Sequence, residues 1–153
     1  MSLRKEDEMT VEQIMERNFC TVKKNNTLLQ TLDAMEECGL EGLPVVDDEG
    51  KVIGFITQGD IVRSLLLTYE ELVQEEGLHI EGVERKASVA LSLKRVEEAM
   101  SSPPLVVRVG TPLMRVLSLI AIKRVECLPV VDKEGKILGI VRRKNVLKAL
   151  KGV

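Results

Sequence analysis

Two residues stand where chemistry would be sought first. In "GFITQGD", Gly54 to Asp60, a strand-like run ends in a hydroxyl at Thr57 and a carboxylate at Asp60, just ahead of the apolar-periodic "IVRSLLLTYEELV". Ser/Thr-x-x-acid before a helix reads as a capping box, in which Thr57 accepts from first-turn amides and Asp60 reaches back to the Thr57 N–H. The same pair can also serve a ligand. A carboxylate accepts hydrogen bonds from a vicinal diol, and a helix N-terminus offers unpaired amides to an anion. The two uses are not exclusive, and the local motif leaves both open. A related segment, "GIVRRKN", Gly139 to Asn145, replaces Thr57 by Arg142 and Asp60 by Asn145. It places Arg142, Arg143 and Lys144 at a helix start, where the macrodipole opposes each exposed cation by ~0.3 to 1 kcal/mol. A bound anion would reverse that sign; a solvated basic turn is the plain alternative.

No catalytic set accompanies these residues. The one histidine, His79, lies between the repeated segments described below, with no credible Ser-His-Asp arrangement around it. Cys20, Cys38 and Cys127 are odd in number and have no CxxC spacing, which argues against a disulfide framework and against zinc, so free thiols are expected. Met15, Met35, Met100 and Met114 fall at core positions. Neither a catalytic residue nor a metal ligand is assigned.

Composition narrows the class further. The 153 residues are 44% hydrophobic and 30% charged with a net charge of -2, the profile of a soluble globular protein with room for a core. Aromatic content of 2% without Trp leaves no stacking platform for single-stranded nucleic acid, and the pI of about 5.6 also counts against a nucleic-acid partner. No apolar run approaches the ~18 residues needed to span a bilayer, and "MSLRKEDEMT" has no signal-peptide core; a cytoplasmic location without membrane partner is expected.

The elements that must position Thr57 and Arg142 occur twice. A shift of 85 positions aligns "LPVVDDEGKVIGFI" (Leu43 to Ile56) with "LPVVDKEGKILGIV" (Leu128 to Val141), and without a gap pairs Val11 with Val96, Met15 with Met100 and Val22 with Val107. Each copy reads as a short helix, an extended segment ("CTVK" or "LVVRV"), a helix, a two-strand hairpin and a closing helix from about Gly59 or Lys144. Asn26 and Thr111 are expected N-caps, with Pro112 as first helical residue and Gly39 as a helix end. The first closing helix runs on through Leu72 and Val73 until Gly77 stops it, and a second helical stretch leads into repeat two. So small a βαββα unit leaves one sheet face bare, so two units packed sheet to sheet would explain the pair.

The duplicated "LPVVD…GK(V/I)(I/L)G(F/I)(I/V)", the "TQGD" motif and the opening "VEQIM…TVKKNNTLLQTL" resemble the tandem cystathionine β-synthase (CBS) domain pair, or Bateman module. The resemblance implies an α/β (α+β) fold of two βαββα repeats with pseudo-two-fold symmetry: repeat one over residues 10–66, a partly helical linker over 67–94, and repeat two over 95–151. It implies clefts for AMP, ADP, ATP, S-adenosylmethionine or NAD, with no obligatory cofactor. By the same resemblance, nucleotide contacts fall to Thr57 and Asp60, with Thr21, Val22, Leu43 and Pro44, and in the second copy to Arg142, Arg143 and Asn145, with Val107, Leu128 and Pro129. The resemblance gives Asp60 the ribose, while the cations at the helix start, by their charge alone, are read as contributing to phosphate binding around Arg142. The module implied is a regulatory ligand sensor, not an enzyme, that acts on an unknown protein target. The family's habit of pairing modules implies a homodimer through apolar residues such as Leu28 to Met35 and Leu113 to Ile120. A structural oligomerisation module with empty clefts is the competing reading.

Overall fold

The computed structural model describes residues 8–76 and 82–153. In chain order it contains α1 (Val11–Ile14), α2 (Leu28–Cys38), β1 (Gly42–Val46), β2 (Val52–Thr57), α3 (Gln58–Glu76), α4 (Val83–Leu93), β3 (Val107–Arg108), α5 (Leu113–Lys123), β4 (Cys127–Val131), β5 (Ile137–Arg142) and α6 (Arg143–Lys151). The architecture is mixed α+β with two small sheets, as expected. His79 and the helix stop at Gly77 lie outside the described residues.

Local chemistry moves two helix starts by one residue. Thr27, not Asn26, caps α2: its hydroxyl accepts the Gln30 N–H at 3.1 Å while the Gln30 carboxamide accepts the Thr27 N–H at 2.9 Å. Asn26 has Leu29 three residues on and cannot close such a box, so its side chain accepts the Lys23 N–H at 2.7 Å instead. In the second copy Pro112 is the N-cap and α5 begins at Leu113. The turn from Lys23 to Asn26, closed by Asn26 N–H to the Lys23 carbonyl at 3.0 Å, also curtails the expected first strand. Val22 keeps only a single parallel bridge to Val45, whereas its counterpart Val107 begins the short β3. Gly39 ends α2 in the left-handed conformation (φ 68°), and Arg124 takes the same conformation after α5 (φ 53°) without glycine's freedom.

Two compact units result, and they do not follow the repeats. A central unit comprises Cys20–Asp48 and Ile53–Pro104; a C-terminal unit comprises the chain through Phe19, Glu49–Val52 and Leu105–Val153. In the central unit β1 and β2 pair, α4 packs on α2 and α3, and Leu28, Met35, Leu43, Ile56 and Val96 are buried together. In the C-terminal unit β3 runs parallel to β4 and β4 antiparallel to β5, with Val11, Val116, Leu128, Val141 and Val146 in the core. Each repeat's opening segment thus packs with the other repeat's sheet. Phe55 and Ser101 exchange hydrogen bonds at 3.0 and 2.9 Å; Ile140 and Glu16 do so at 3.0 and 2.7 Å.

The expectation of free thiols is corrected in part. Cys20 and Cys38 form a disulfide with Cα atoms 6.4 Å apart, within the usual span, and Cys127 is the free thiol. The fold brings the C-terminal end of α2 beside the residue two before Val22, a proximity that an odd cysteine count conceals.

Each exchanged segment passes against a glycine. A Cβ on Gly54 would lie 2.9 Å from the Ser101 carbonyl and 2.8 Å from Met100 Sδ; on Gly139 it would lie 2.7 Å from both the Glu16 carbonyl and Met15 Sδ. Backbone cannot yield as a flexible side chain can. Gly139→Ala should therefore cost roughly 1 to 3 kcal/mol in urea unfolding, the range for overpacking. An alanine variant as stable as the native chain would mean the segment is not held there.

Candidate functional site

The twelve residues singled out by resemblance divide between the units. Thr21, Val22, Leu43, Pro44, Thr57 and Asp60 belong to the central unit; Val107, Leu128, Pro129, Arg142, Arg143 and Asn145 belong to the C-terminal unit. Within the central unit, Val22 N–H donates to the Pro44 carbonyl at 3.0 Å and Val46 N–H to the Val22 carbonyl at 2.9 Å, which brings the extended segment alongside "LPVVD". In the C-terminal unit, Val107 pairs with Val130, next to Pro129.

Thr57 ends β2 and Asp60 lies in the first turn of α3. The capping box is formed: Asp60 Oδ2 accepts the Thr57 N–H at 2.9 Å and Thr57 Oγ1 accepts the Asp60 N–H at 3.1 Å. Asp60 Oδ1 accepts from Arg63 Nη2 at 2.5 Å. The Asp60 side chain is 10% exposed and that of Arg63 69%, so a largely buried carboxylate meets a cation that reaches in from solvent. With the guanidinium in solvent, screening keeps the contribution of this i,i+3 pair small, of order 1 kcal/mol.

The C-terminal unit repeats half of this design. Asn145 Oδ1 accepts the Arg142 N–H at 2.7 Å, as Asp60 does for Thr57, but a guanidinium cannot accept the return bond. It turns instead to Glu16. Arg142 Nε and Nη2 donate to the two Glu16 oxygens at 2.6 and 2.7 Å, a bidentate pair with side chains 25% and 27% exposed. The Arg142 hydrogen bond holds the Glu16 carboxyl below its ordinary range, although burial opposes this, and the carboxylate in turn raises the Arg142 pKa. Arg143 Nη2 meets Glu126 Oε1 at 2.6 Å between exposed side chains. Two of the three cations expected to await an anion thus already face carboxylates of this chain. Cys127 lies opposite Arg142 across β4 and β5, and burial pushes its thiol up to about 12, so it is a packing residue without nucleophilic character.

Glu16 is the residue that reading the motifs passes over. Its signal lay in the repeat. The 85-residue shift pairs Glu16 with Ser101 and Arg142 with Thr57, so each position is charged in one copy and neutral in the other, the acid in repeat one and the base in repeat two.

Among the described residues no group of three or more His, Cys, Asp or Glu could hold a metal ion, and no helix is long and apolar enough to cross a membrane.

A family model for the CBS domain matches residues 11–67 and 96–152. The chain belongs to the CBS-domain family. A CBS domain-containing protein of Dictyostelium discoideum is 28% identical over 140 residues, which cover 92% of this chain and 90% of that protein. Inosine-5'-monophosphate dehydrogenase of Methanocaldococcus jannaschii is 27% identical over 150 residues, 98% of this chain but 24% of the enzyme. This chain therefore spans about a quarter of that relative's length. The CBS-pair protein CBSX2 of Arabidopsis thaliana has the same fold, with a TM-score of 0.75 and 30% identity over 95% of this chain and 96% of that one. CBSX2 in complex with AMP gives a TM-score of 0.72 and 29% identity, covering 94% and 96%. The tandem CBS pair expected from the motifs is thus shown.

The Glu16–Arg142 pair makes stability depend on pH. A depressed carboxylate pKa contributes stability that is fully present above the ordinary glutamate value of 4.5 and is lost as pH falls through the lowered folded value. Glu16→Gln should lower the unfolding free energy by roughly 1.5 to 3 kcal/mol at neutral pH, the range for a charged hydrogen bond. The gap between variant and native chain should close in acid. A gap that persists unchanged well below the folded pKa would show that the pair is not the cause.

Proposed function

We propose that this chain is a regulatory module that binds an adenosine nucleotide of the AMP, ADP or ATP class, has no catalytic role and passes occupancy to a protein target. The observation that carries the reading is the Thr57–Asp60 pair at the start of α3, set in a CBS framework similar to that of CBSX2 in complex with AMP. Asp60 would receive the ribose hydroxyls, with main chain at Leu43 and Pro44 near the base. Thr21 and Val22 flank this position, and Val107, Leu128 and Pro129 are their counterparts in the second copy. Asn145 gives a weaker ribose contact than Asp60 because its bonds are not charge-assisted.

A second reading rests on Glu16. With Arg142 already paired, a ligand of little phosphate charge, such as S-adenosylmethionine, enters without displacing a carboxylate. We further infer a homodimer through the helices of each repeat. Leu28, Met35, Leu113 and Ile120 are spent in the cores, whereas Leu29, Val62, Leu66, Ile122 and Leu147 are among the exposed apolar positions, as is Met114, which the spacing places in a core.

Calorimetric titration with AMP, ADP, ATP, adenosine and S-adenosylmethionine tests the ligand class. Asp60→Ala should weaken the bound ligand by roughly 1.5 to 3 kcal/mol. If the carboxylate serves the cap alone, stability falls by about 1 kcal/mol and affinity stays unchanged.

Charge decides between the two readings. If Arg142 and Arg143 take phosphate, ATP and ADP bind more tightly than adenosine, and salt shrinks the difference. Glu16→Gln should then strengthen ATP and ADP only, and Arg142→Ala should abolish their advantage. Equal binding of adenosine and ATP to the native chain selects the second reading.

A further inference from the structure

The Cys20–Cys38 disulfide lies within the central unit and links residues 18 positions apart. Neither cysteine is fully buried, which leaves the bond within reach of a small reagent. The second copy does without it. Under the 85-residue shift Leu105 and Lys123 take the equivalent positions, and there the extended segment still pairs with its hairpin, Val107 with Val130. In the central unit each end of the bond is also secured independently. Val22 N–H donates to the Pro44 carbonyl at 3.0 Å and Val46 N–H to the Val22 carbonyl at 2.9 Å, so Val22 keeps its place just beyond Cys20. At the other end Gly39 closes α2 in the left-handed conformation, and Leu40 N–H donates to the Met35 carbonyl at 3.0 Å. Opening the bond therefore loosens the unit locally and leaves Leu28, Met35, Leu43 and Ile56 packed together.

The loosened part borders the candidate site. Cys20 directly precedes Thr21 and Val22, and Cys38 stands at the end of α2, where the chain turns through Gly39 to Glu41 into Leu43 and Pro44. The disulfide and the Val22 hydrogen bonds thus clamp together the two arms that flank the proposed base position. With the bond closed, Thr21 is held on both sides; with it open, only the Val22 side remains.

We propose that Cys20 and Cys38 form a reversible thiol–disulfide exchange site for low-molecular-weight disulfides and thiols of the glutathione kind, and that the closed bond raises the affinity of the central unit for its nucleotide. The coupling to ligand rests on the nucleotide reading; the exchange site does not. In oxidation the thiolate of one cysteine attacks the external disulfide and expels one thiolate, which leaves a mixed disulfide. The thiolate of the other cysteine then attacks the protein sulfur of that bond, forms Cys20–Cys38 and expels the second thiolate. The dithiol gives up two electrons and two protons, and the external disulfide departs as two thiols; reduction is the reverse. An arm already ordered loses less freedom when a ligand arrives, so the oxidised chain binds more tightly. Linkage requires the converse: a ligand that prefers the oxidised chain makes the bond harder to reduce by the same factor.

The whole chain, equilibrated in glutathione buffers of graded ratio with and without AMP, tests both halves. Alkylation, digestion without reduction and mass spectrometry should show the Cys20–Cys38 peptide pair form and open reversibly, with the far-UV circular dichroism unchanged. Hydrogen exchange at the Thr21 and Val22 amides should be faster in the reduced chain. By calorimetry AMP should bind the reduced chain about fivefold or more weakly, and AMP should shift the glutathione equilibrium by that same factor. The Cys20→Ser, Cys38→Ser chain should bind AMP as the reduced native chain does, in either buffer. A bond that never forms in the native chain, or that glutathione cannot open without unfolding it, overturns the exchange site. Equal AMP affinity in the two states, with only a lower urea midpoint on reduction, makes the bond a plain staple and overturns the coupling. Absence of AMP binding in both states overturns the nucleotide reading and the coupling with it, while the reversible bond and the exchange rates at Thr21 and Val22 still decide the redox site.

Discussion

The close approach of a crossing segment to a sheet edge is the constraint on which the rest of this molecule depends. At Gly54 and Gly139 the carbonyls of Ser101 and Glu16, with the side chains of Met100 and Met15, come nearer than a Cβ would allow, and two reciprocal hydrogen bonds hold each segment at the neighbouring residue. The consequence reaches the candidate site. Glu16 is bonded through its backbone to Ile140, two residues before Arg142 on the same strand, so its side chain is delivered to the guanidinium by the register of the bridge. In the central unit the same register delivers Ser101 beside Phe55, two residues before Thr57. One backbone device therefore supplies a carboxylate in one unit and a neutral residue in the other.

Duplication preserved that device and let the charges diverge. The hairpins and their glycines persist at the 85-residue shift, whereas the side chains at the helix starts and on the outer helices differ in sign. A Cβ placed under 3 Å from a carbonyl costs more than most substitutions do, while an exposed helix position accepts either sign at a cost of a few tenths of a kcal/mol. Divergence has gone where it was cheap, and it has given two structurally equivalent units different electrostatic properties.

What was legible in the sequence was whatever repeats. The 85-residue shift revealed the helix and strand order, the hairpins and the α+β class, because periodicity and turn residues act locally. Thr27 is not legible as the cap because Asn26 is an equally good cap by type, and the deciding residue, Gln30, lies inside the helix. The first extended segment reads as a strand by β-branching, but the Lys23–Asn26 turn leaves Val22 one bridge. The Cys20–Cys38 disulfide and the Glu16–Arg142 pair were invisible for a common reason: each joins residues whose proximity is tertiary. Glu16 and Arg142 are 126 positions apart, and only the exchange of opening segments brings them together.

The formed capping box does not exclude Asp60 as a ligand contact, and the geometry shows why. One carboxylate oxygen, Oδ2, is tied to the Thr57 amide and forms one half of the capping box that closes the β2–α3 junction. The other, Oδ1, is held by Arg63, whose long side chain is largely exposed and whose head can return to water at little cost. Each oxygen accepts more than one hydrogen bond. A diol can therefore approach Oδ1 by displacing or sharing the Arg63 contact while the Thr57 bond keeps the carboxylate oriented. In that arrangement the cap is what preorganises the acceptor, since an Asp held by the helix start loses little further freedom when a ligand arrives. Arg142 is in the opposite position. Both bonds of its fork are given to Glu16, so a phosphate there must first break a bidentate pair. On the proposed reading a ribose would reach the central unit at the expense of a surface contact, whereas an anion at Arg142 would have to replace the carboxylate that already faces it.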